Sequence, residues 1–168
     1  MKSLKSIPFI LIFTLIISNR LNAQNLNLKS PNNEIEVTIK TSNNFSFNVK
    51  LKNNIVIENV DLGIKMSDGR AIGKNSIVKE AYIRSKNETR NIPVPNKDRK
   101  IISKYNELNL KLNKGLEVIF RAYDDGVAYR IKDNKKNRKN IEYEKMDLKL
   151  PEGTSTFFSM GGIYVFSQ

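Results

Sequence analysis

The sequence predicts an all-β protein, built as an antiparallel β-sandwich. Apolar and polar residues alternate in several short runs, which is the period of a strand with one buried face. Clusters of Asn, Asp, Gly and Pro separate these runs, as turn residues separate strands. Beyond residue 23, no segment longer than ten residues has a clean helical period. The 168 residues suffice for one domain of this class.

The first half of the chain predicts a β-meander followed by one more extended segment. Turn residues Asn43-Asn44, Asn53-Asn54 and Ser67-Asp68-Gly69 punctuate the alternating runs. The predicted strands cover residues 35–39, 45–51, 55–57, 62–66 and 76–85. Residues 86–99, with Pro93 and Pro95 among charges, predict a long loop.

The second half predicts a hairpin and two flanking strands. Residues 108–112 form a strand, and 113–115 turn the chain into the hairpin of residues 116–132. Asp125-Gly126 is a typical tight-turn pair, so we expect positive φ at Gly126 and a larger cost for Gly126→Val than for Asp124→Ala. Residues 141–150 predict a last strand, closed by the turn residues 151–153.

Composition excludes several classes of function. The chain has no histidine, so Ser-His-Asp and Cys-His nucleophile systems and histidine-ligated metal sites cannot form within it. It has no cysteine, and burial rather than disulfides has to stabilise the fold. The formal charge of +12 comes from basic residues scattered through every segment, without aromatic stacking motifs. We therefore expect no nucleic-acid partner.

The first 23 residues have the organisation of a secretory signal peptide. Lys2 and Lys5 precede an apolar run at residues 7–17, and Leu21-Asn22-Ala23 ends in a small residue before Gln24. The run is short for a membrane span, although an uncleaved N-terminal anchor is the alternative. No cysteine follows it that could carry a lipid. We expect a periplasmic or secreted domain of residues 24–168 that leaves the membrane after cleavage.

Three groups of residues are candidates for chemistry, and each has a structural interpretation. Asp124 and Asp125 are paired carboxylates, but adjacent turn residues do not face each other across a substrate. The basic run 132–139 lies between predicted strands, where a solvated loop is expected. Tyrosines could stack on sugars, although packing is favoured: Tyr105, Tyr123 and Tyr129. No catalytic, cofactor-binding or metal-binding residue is assigned.

Three stretches together resemble the N-terminal domain of glycoside hydrolase family 97, bacterial enzymes similar to the starch-utilisation α-glucosidase of Bacteroidetes. They are Ser30-Pro31-Asn32 leading into residues 35–39, Tyr105-Asn106-Glu107-Leu108, and residues 120–130, which read FRAYDDGVAYR. Leu62-Gly63-Ile64 also fits. The resemblance covers residues 25–158, whereas 88–95 lacks the family's tryptophans and 159–168 departs from the pattern.

The resemblance implies a galactose-mutarotase-like sandwich placed before a (β/α)8 catalytic barrel. In this chain we expect the sandwich to be incomplete. In the family, the catalytic carboxylates and most calcium-binding glutamates lie on the barrel, and a further calcium ligand lies late in the N-terminal domain. No position of this chain matches any of them. The resemblance therefore implies no cofactor in this chain, with the missing barrel as its partner and oligosaccharide as a further candidate.

Two functions compete. The first is an incomplete, non-catalytic N-terminal domain of an exported α-glycoside hydrolase. Its sequence leaves open whether the whole enzyme acts on glucosides or galactosides, and whether hydrolysis retains or inverts the anomeric configuration. The second is a free-standing carbohydrate-binding or surface-interaction module. For an incomplete sandwich we expect poor stability, with Phe45, Phe47, Val118 and Phe120 partly uncovered.

Overall fold

The computed structural model describes residues 25–42, 44–91, 100–136 and 139–155, with residue 90 described by its backbone alone. The predicted signal peptide, the Pro93 to Pro95 stretch and the segment 156–168 lie outside the described residues. Within them the strands are β1 (Leu26–Lys29), β2 (Ile35–Lys40), β3 (Ser46–Leu51), β4 (Asn54–Met66), β5 (Ala71–Ile72), β6 (Val78–Asn91), β7 (Lys100–Leu112), β8 (Leu116–Tyr123), β9 (Val127–Asp133) and β10 (Ile141–Lys149). A single 3-10 turn, Asn113–Gly115, joins β7 to β8.

The strands form two antiparallel sheets, which confirms the predicted all-β sandwich. Sheet A has the order β1-β2-β3-β4-β10, with the short β5 also paired to β4. Sheet B has the order β6-β7-β8-β9. The chain neighbours β2, β3 and β4 are also neighbours in sheet A, so the predicted meander is confirmed.

The core lies between the sheets, and aromatic rings from both sheets meet at its centre. The ring centroid of Phe120 lies 5.3 Å from that of Phe47 and 6.5 Å from that of Phe45. Phe45, Phe47, Val118 and Phe120 are all buried. The expectation that these side chains would be partly uncovered is therefore wrong. Sheet B covers this part of sheet A, whereas Met146 and Leu148 on the edge strand β10 are half-exposed.

The predicted runs 55–57 and 62–66 belong to one strand, β4. The strand is irregular where the two runs meet, because Asn59 has a positive φ of 49°. The side-chain oxygen of Asn48 accepts a hydrogen bond of 2.7 Å from the Asn59 amide and so stabilises the distortion. The irregularity interrupts the alternation of side chains, and for this reason the sequence pattern shows two strands.

The predicted loop 86–99 is wrong over residues 86–91, which belong to a strand, and residues 92–99 lie outside the described residues. Strand β6 continues to Asn91 and β7 begins at Lys100, with a regular ladder between Asn87↔Lys104 and Asn91↔Lys100. Backbone hydrogen bonds hold this ladder, and they need no alternation of apolar side chains. None of the described side chains at residues 87–89, 91 and 100–104 is buried, so this part of the ladder shows no strand period in the sequence.

The β8–β9 hairpin is confirmed, with Ala122 opposite Val127. The backbone amide of Tyr123 donates a 2.8 Å hydrogen bond to the carbonyl of Gly126 across the turn. The expected positive φ at Gly126 is wrong, since none of residues 124–126 has positive φ. Positive φ instead occurs one turn earlier, at Lys114 (62°) and Gly115 (82°), where β7 passes into β8. That connection needs the glycine.

Candidate functional site

A layer of polar and aromatic side chains covers the outer face of sheet B. Leu108, Leu110, Val118 and Phe120 point into the core, so the intervening residues of β7 and β8 point away from sheet A. Those intervening residues are nevertheless buried, because long side chains on the same face cover one another. They include Tyr105, Glu107, Asn109, Glu117 and Ile119.

Glu107 and Arg121 form the centre of this outer layer. They are direct cross-strand partners, and Arg121 Nε donates a 2.7 Å hydrogen bond to Glu107 Oε2. Asn109 Nδ2 donates to the other carboxylate oxygen at 3.0 Å. Burial raises the pKa of Glu107, but the hydrogen bonds from Asn109 and Arg121 outweigh it, and the pKa lies below its ordinary value. Glu107 is thus held as a paired carboxylate, the opposite of a general acid.

The tyrosines considered for sugar stacking are packing residues in two of three cases. Tyr105 is 3% exposed; Arg121 Cζ lies 4.5 Å from its ring centroid and the ring of Tyr123 lies 5.1 Å away. Tyr129 points into the core, with its ring 6.0 Å from that of Phe120 and its hydroxyl 3.2 Å from Met146 Sδ. The packing interpretation is confirmed for both. Tyr123 is half-buried at the rim.

Asp124 links two of the stretches that carry the family resemblance. Its Oδ1 accepts a 2.8 Å hydrogen bond from the Asn32 amide, which joins the β8–β9 turn to the β1–β2 turn. The β1–β2 turn is itself organised by side chains, since Ser30 Oγ donates to Asn32 Oδ1 at 2.6 Å and accepts from the Ile35 amide at 2.9 Å. The structural interpretation of Asp124 is confirmed, and its carboxylate is engaged by the backbone.

Asp124→Ala is expected to lower the free energy of unfolding by about 1 kcal/mol, because it leaves the Asn32 amide without its acceptor. Gly126→Ala is expected to be neutral, since a Cβ there meets nothing within 4 Å and no positive φ has to be kept. The sequence instead predicted that a substitution of Gly126, there by Val, costs more than Asp124→Ala. Urea unfolding midpoints of the two variants check it, and a larger loss for Gly126→Ala would contradict it.

A second cluster, around Arg70, was missed by the sequence analysis. The Arg70 side chain is 4% exposed and forms a bidentate pair with Asp133, with both N–O distances 2.6 Å. Its Nε donates to Asp68 Oδ2 at 2.7 Å. Arg70 follows the β4 turn of sheet A, whereas Asp133 ends β9 of sheet B. The Asp68-Gly69-Arg70 turn is visible in sequence, but the partner 63 residues away is not.

The electrostatics of the Arg70 cluster follow from this geometry. The hydrogen bonds from the Arg70 side chain and from the Lys135 amide lower the pKa of Asp133 from 3.8 to about 2. The same contacts with Asp133 and Asp68 raise the pKa of Arg70. All three groups are charged at neutral pH, so the cluster is an ion-pair link between the sheets. A general acid needs a carboxyl group whose pKa is raised.

Neither a metal centre nor a membrane span is found within the described ranges. They contain no group of three or more acidic residues placed to hold a metal ion. Their helical content includes no segment long and apolar enough to cross a bilayer.

The basic residues Lys135, Lys136 and Lys139 are exposed between β9 and β10, as expected for a solvated loop. An open groove of about 360 Å³ is lined by Pro31, Ser85, Lys86, Asn87, Lys104, Tyr105 and Asn106.

Comparison with known proteins adds sequence and structural relatives. The chain is 24% identical over 149 residues to a retaining alpha-galactosidase of Bacteroides thetaiotaomicron, covering 88% of this chain and 22% of that enzyme. It superposes with a TM-score of 0.65 and 21% identity on a Glycoside Hydrolase Family 97 enzyme from Pseudoalteromonas sp. strain K8 in complex with panose, covering 76% of this chain and 20% of that one. A beta-arabinopyranosidase gives a TM-score of 0.66 at 21% identity, covering 77% and 22%.

The structural matches show the shared fold, and the chain spans about a fifth of the length of each relative. The family described as Glycosyl-hydrolase 97 N-terminal matches residues 28–167. This match includes most of the segment 159–168, which we had expected to depart from the pattern. The chain therefore belongs to the glycoside hydrolase family 97 N-terminal family.

Proposed function

We propose that this chain is the non-catalytic N-terminal sandwich of an exported α-glycoside hydrolase, whose catalytic barrel is its partner. The observation that carries the proposal is the family match over residues 28–167 in a chain that spans only a fifth of its relatives. The sequence relative is a retaining alpha-galactosidase, and one structural relative was solved with panose. The substrate class is accordingly an α-linked oligosaccharide, either a glucoside or a galactoside.

The buried polar groups support a scaffolding role. Glycoside hydrolysis needs two carboxyl groups facing one bond, roughly 5 to 10 Å apart, one of them protonated at working pH. In the described residues Glu107 is paired with Arg121, Asp133 with Arg70, and Asp124 accepts from the backbone. Each of these carboxylates holds strands or turns together. Their arrangement suits a domain that positions a catalytic partner rather than one that cleaves a bond itself.

The purified protein is expected to leave chromogenic α-glucosides and α-galactosides intact, with or without added calcium, because no carboxylic acid and base converge in the described part. Release of chromophore over several hours is the measurement. A full-length family 97 α-galactosidase serves as the positive control and heat-treated protein as the blank. Turnover above the blank that survives repurification would refute the proposal.

Export is the second part of the proposal, and it rests on the charged start, the apolar run and Ala23. The protein recovered from the periplasm or medium of its own host is expected to begin at Gln24. N-terminal sequencing or intact mass measures this, with an Ala23→Lys variant as the control that blocks cleavage. Recovery of the soluble protein with residues 1–23 still attached would contradict export by this route.

The open groove beside the middle of the β6–β7 ladder favours the second candidate, a free-standing carbohydrate-binding module. Its amide and hydroxyl groups are partly used by the fold, because Ser85 Oγ donates to Asn106 Oδ1 and Asn106 Nδ2 donates to the Lys29 carbonyl. The scaffold therefore remains the leading function. NMR titration with panose discriminates the two: saturable shifts confined to the groove support the module, and unchanged spectra support the scaffold.

A further inference from the structure

A small pocket lies on the outer face of sheet B, between β8 and β9. It has a volume of about 110 Å³, it opens to solvent, and its lining residues are Ile119, Arg121, Tyr123, Ala128, Tyr129 and Arg130. Ala128 is the direct cross-strand partner of Arg121, so a methyl group stands where a longer side chain would fill the space. All the lining residues except Ile119 belong to residues 120–130, one of the stretches that carry the family resemblance.

Arg121 forms one wall of the pocket and is held in place by its neighbours. Its Nε donates to Glu107 Oε2 at 2.7 Å, and its Cζ lies 4.5 Å from the ring centroid of Tyr105. Asn109 Nδ2 donates to the other oxygen of Glu107 at 3.0 Å. A guanidinium group carries further N–H donors in the same plane, and the Arg121 side chain is 29% exposed. Arg121 is therefore preorganised to donate to a second acceptor in the pocket.

Arg130 forms the other wall of the pocket. Its side chain is exposed, and within the ranges that the structure describes it has neither a hydrogen bond nor an ion pair. It lies diagonally across the ladder from Arg121, a position at which the two Cβ atoms are roughly 7 Å apart. One acceptor group placed between the two arginines can therefore receive hydrogen bonds from both.

The two buried glutamates of this face, Glu107 and Glu117, are already engaged. Glu107 is held by the contacts described above. Glu117 Oε2 lies 3.6 Å from Lys132 Nζ and accepts a 3.1 Å hydrogen bond from Asn134 Nδ2. Neither carboxylate can turn to Arg130 without leaving its own partners. The pocket therefore offers a positive charge and N–H donors to an acceptor from outside.

We propose that this pocket binds one carboxylate group, presented by an aspartate or glutamate side chain of a protein that packs on the outer face of sheet B. A carboxylate accepts two parallel hydrogen bonds from a guanidinium group, and this pairing is stronger than one between neutral groups. Sites for whole small molecules usually measure roughly 300 to 1,000 Å³. A pocket of about 110 Å³ therefore fits a single functional group better than an oligosaccharide.

The composition of the surrounding face favours a protein as the source of the carboxylate. Besides the pocket residues, the side chains on this face of β6 and β7 include Tyr82, Arg84 and Tyr105. Tyrosine and arginine are the residue types enriched at protein interfaces. The partner is then the catalytic barrel, and this one assignment rests on the function proposed above. The carboxylate site itself rests on the geometry of this chain.

NMR titration of the full chain with capped single amino acids tests the pocket. The probes are N-acetyl-glutamate N-methylamide, which carries one side-chain carboxylate, and its neutral glutamine counterpart. The glutamate probe is expected to bind at least roughly tenfold more tightly than the glutamine probe, with saturable shifts at amides of β8 and β9. Glucuronate is the third probe. Tighter binding of this acidic sugar than of the glutamate probe would overturn a protein as the source of the carboxylate.

Arg130→Gln is expected to abolish the preference for the glutamate probe, because it removes the guanidinium group that is available to a ligand. Arg84→Gln is the matched control, since it removes the same charge from the same face but outside the pocket, and the preference is expected to persist. Ala128→Leu fills the pocket and keeps both arginines, and it is expected to weaken binding of the glutamate probe. Amides of the β7–β8 ladder report in each variant that the domain is folded.

Two results would overturn the proposal. Equal binding of the glutamate and glutamine probes would show that the pocket does not select a carboxylate. Equal losses for Arg130→Gln and Arg84→Gln would show that attraction follows the net charge of the chain rather than the pocket. Either result leaves the proposed function intact, because the tests of hydrolysis and export do not depend on the pocket.

Discussion

Phe120→Ala is expected to lower the free energy of unfolding by about 3 to 5 kcal/mol. The ring is fully buried and contacts Phe47 of sheet A, Phe45 just before β3, and Tyr129 of sheet B. Its removal leaves a cavity that neither sheet can fill without moving. A domain of this size has only about 5 to 15 kcal/mol of net stability, so the variant is expected to be close to unfolding at 25 °C.

Urea unfolding followed by circular dichroism measures the effect, since the chain has no tryptophan. Ile102→Ala on β7 is the matched control, because this side chain is 72% exposed and its truncation is expected to change stability by less than about 0.5 kcal/mol. Equal losses for Phe120→Ala and Ile102→Ala would show that the aromatic contacts do not form the centre of the core.

Acid is expected to weaken the link between the sheets in a defined pH window. The pKa of Asp133 is 3.8 when unfolded and about 2 when paired with Arg70, so the unfolded chain takes up the proton first as the pH falls. The pairing of Asp133 with Arg70 contributes its full stabilisation above pH 3.8, and this contribution is lost as the pH falls towards about 2. Asp68 and Glu107, whose pKa values are also lowered, act in the same direction.

Arg70→Met is the variant that separates the Asp133 contribution. It is expected to lower the urea midpoint at pH 7, because two carboxylates lose their shared cation, and to flatten the fall in stability between pH 4 and pH 2. Arg84→Met is the matched control, since Arg84 is exposed and stacks on Tyr82 at 4.6 Å. Parallel pH profiles for Arg70→Met and the unmodified chain would contradict a role for the Arg70–Asp133 pair.

Side-chain alternation predicted those strands that have one buried and one solvated face. Strands β2 and β3 have this character over most of their length. The sequence also places β8, which is buried on both faces, and the largely exposed β10 within a few residues. The ladder at residues 87–91 and the two-residue β5 were missed, because backbone pairing alone holds them. A pattern of side chains carries no record of backbone hydrogen bonds.

The polar contacts were predictable only in part. The Asp124-Asp125 turn was predicted as structural from local preference, which the Asn32 contact confirms. The pairing of Glu107 with Arg121 depends on the strand register, although both residues stand in the stretches that resemble the family. Arg70 and Asp133 meet only because the two sheets stack face to face. Local spacing cannot reveal a contact between different sheets.

The β8–β9 hairpin is attached to sheet A at both of its ends. Near the turn, Asp124 binds the Asn32 amide, and at the far end Asp133 binds Arg70. Sliding one sheet over the other by a single residue, about 3.3 Å, would stretch both contacts beyond hydrogen-bond length. The two contacts therefore oppose sliding of one sheet over the other at two separated points.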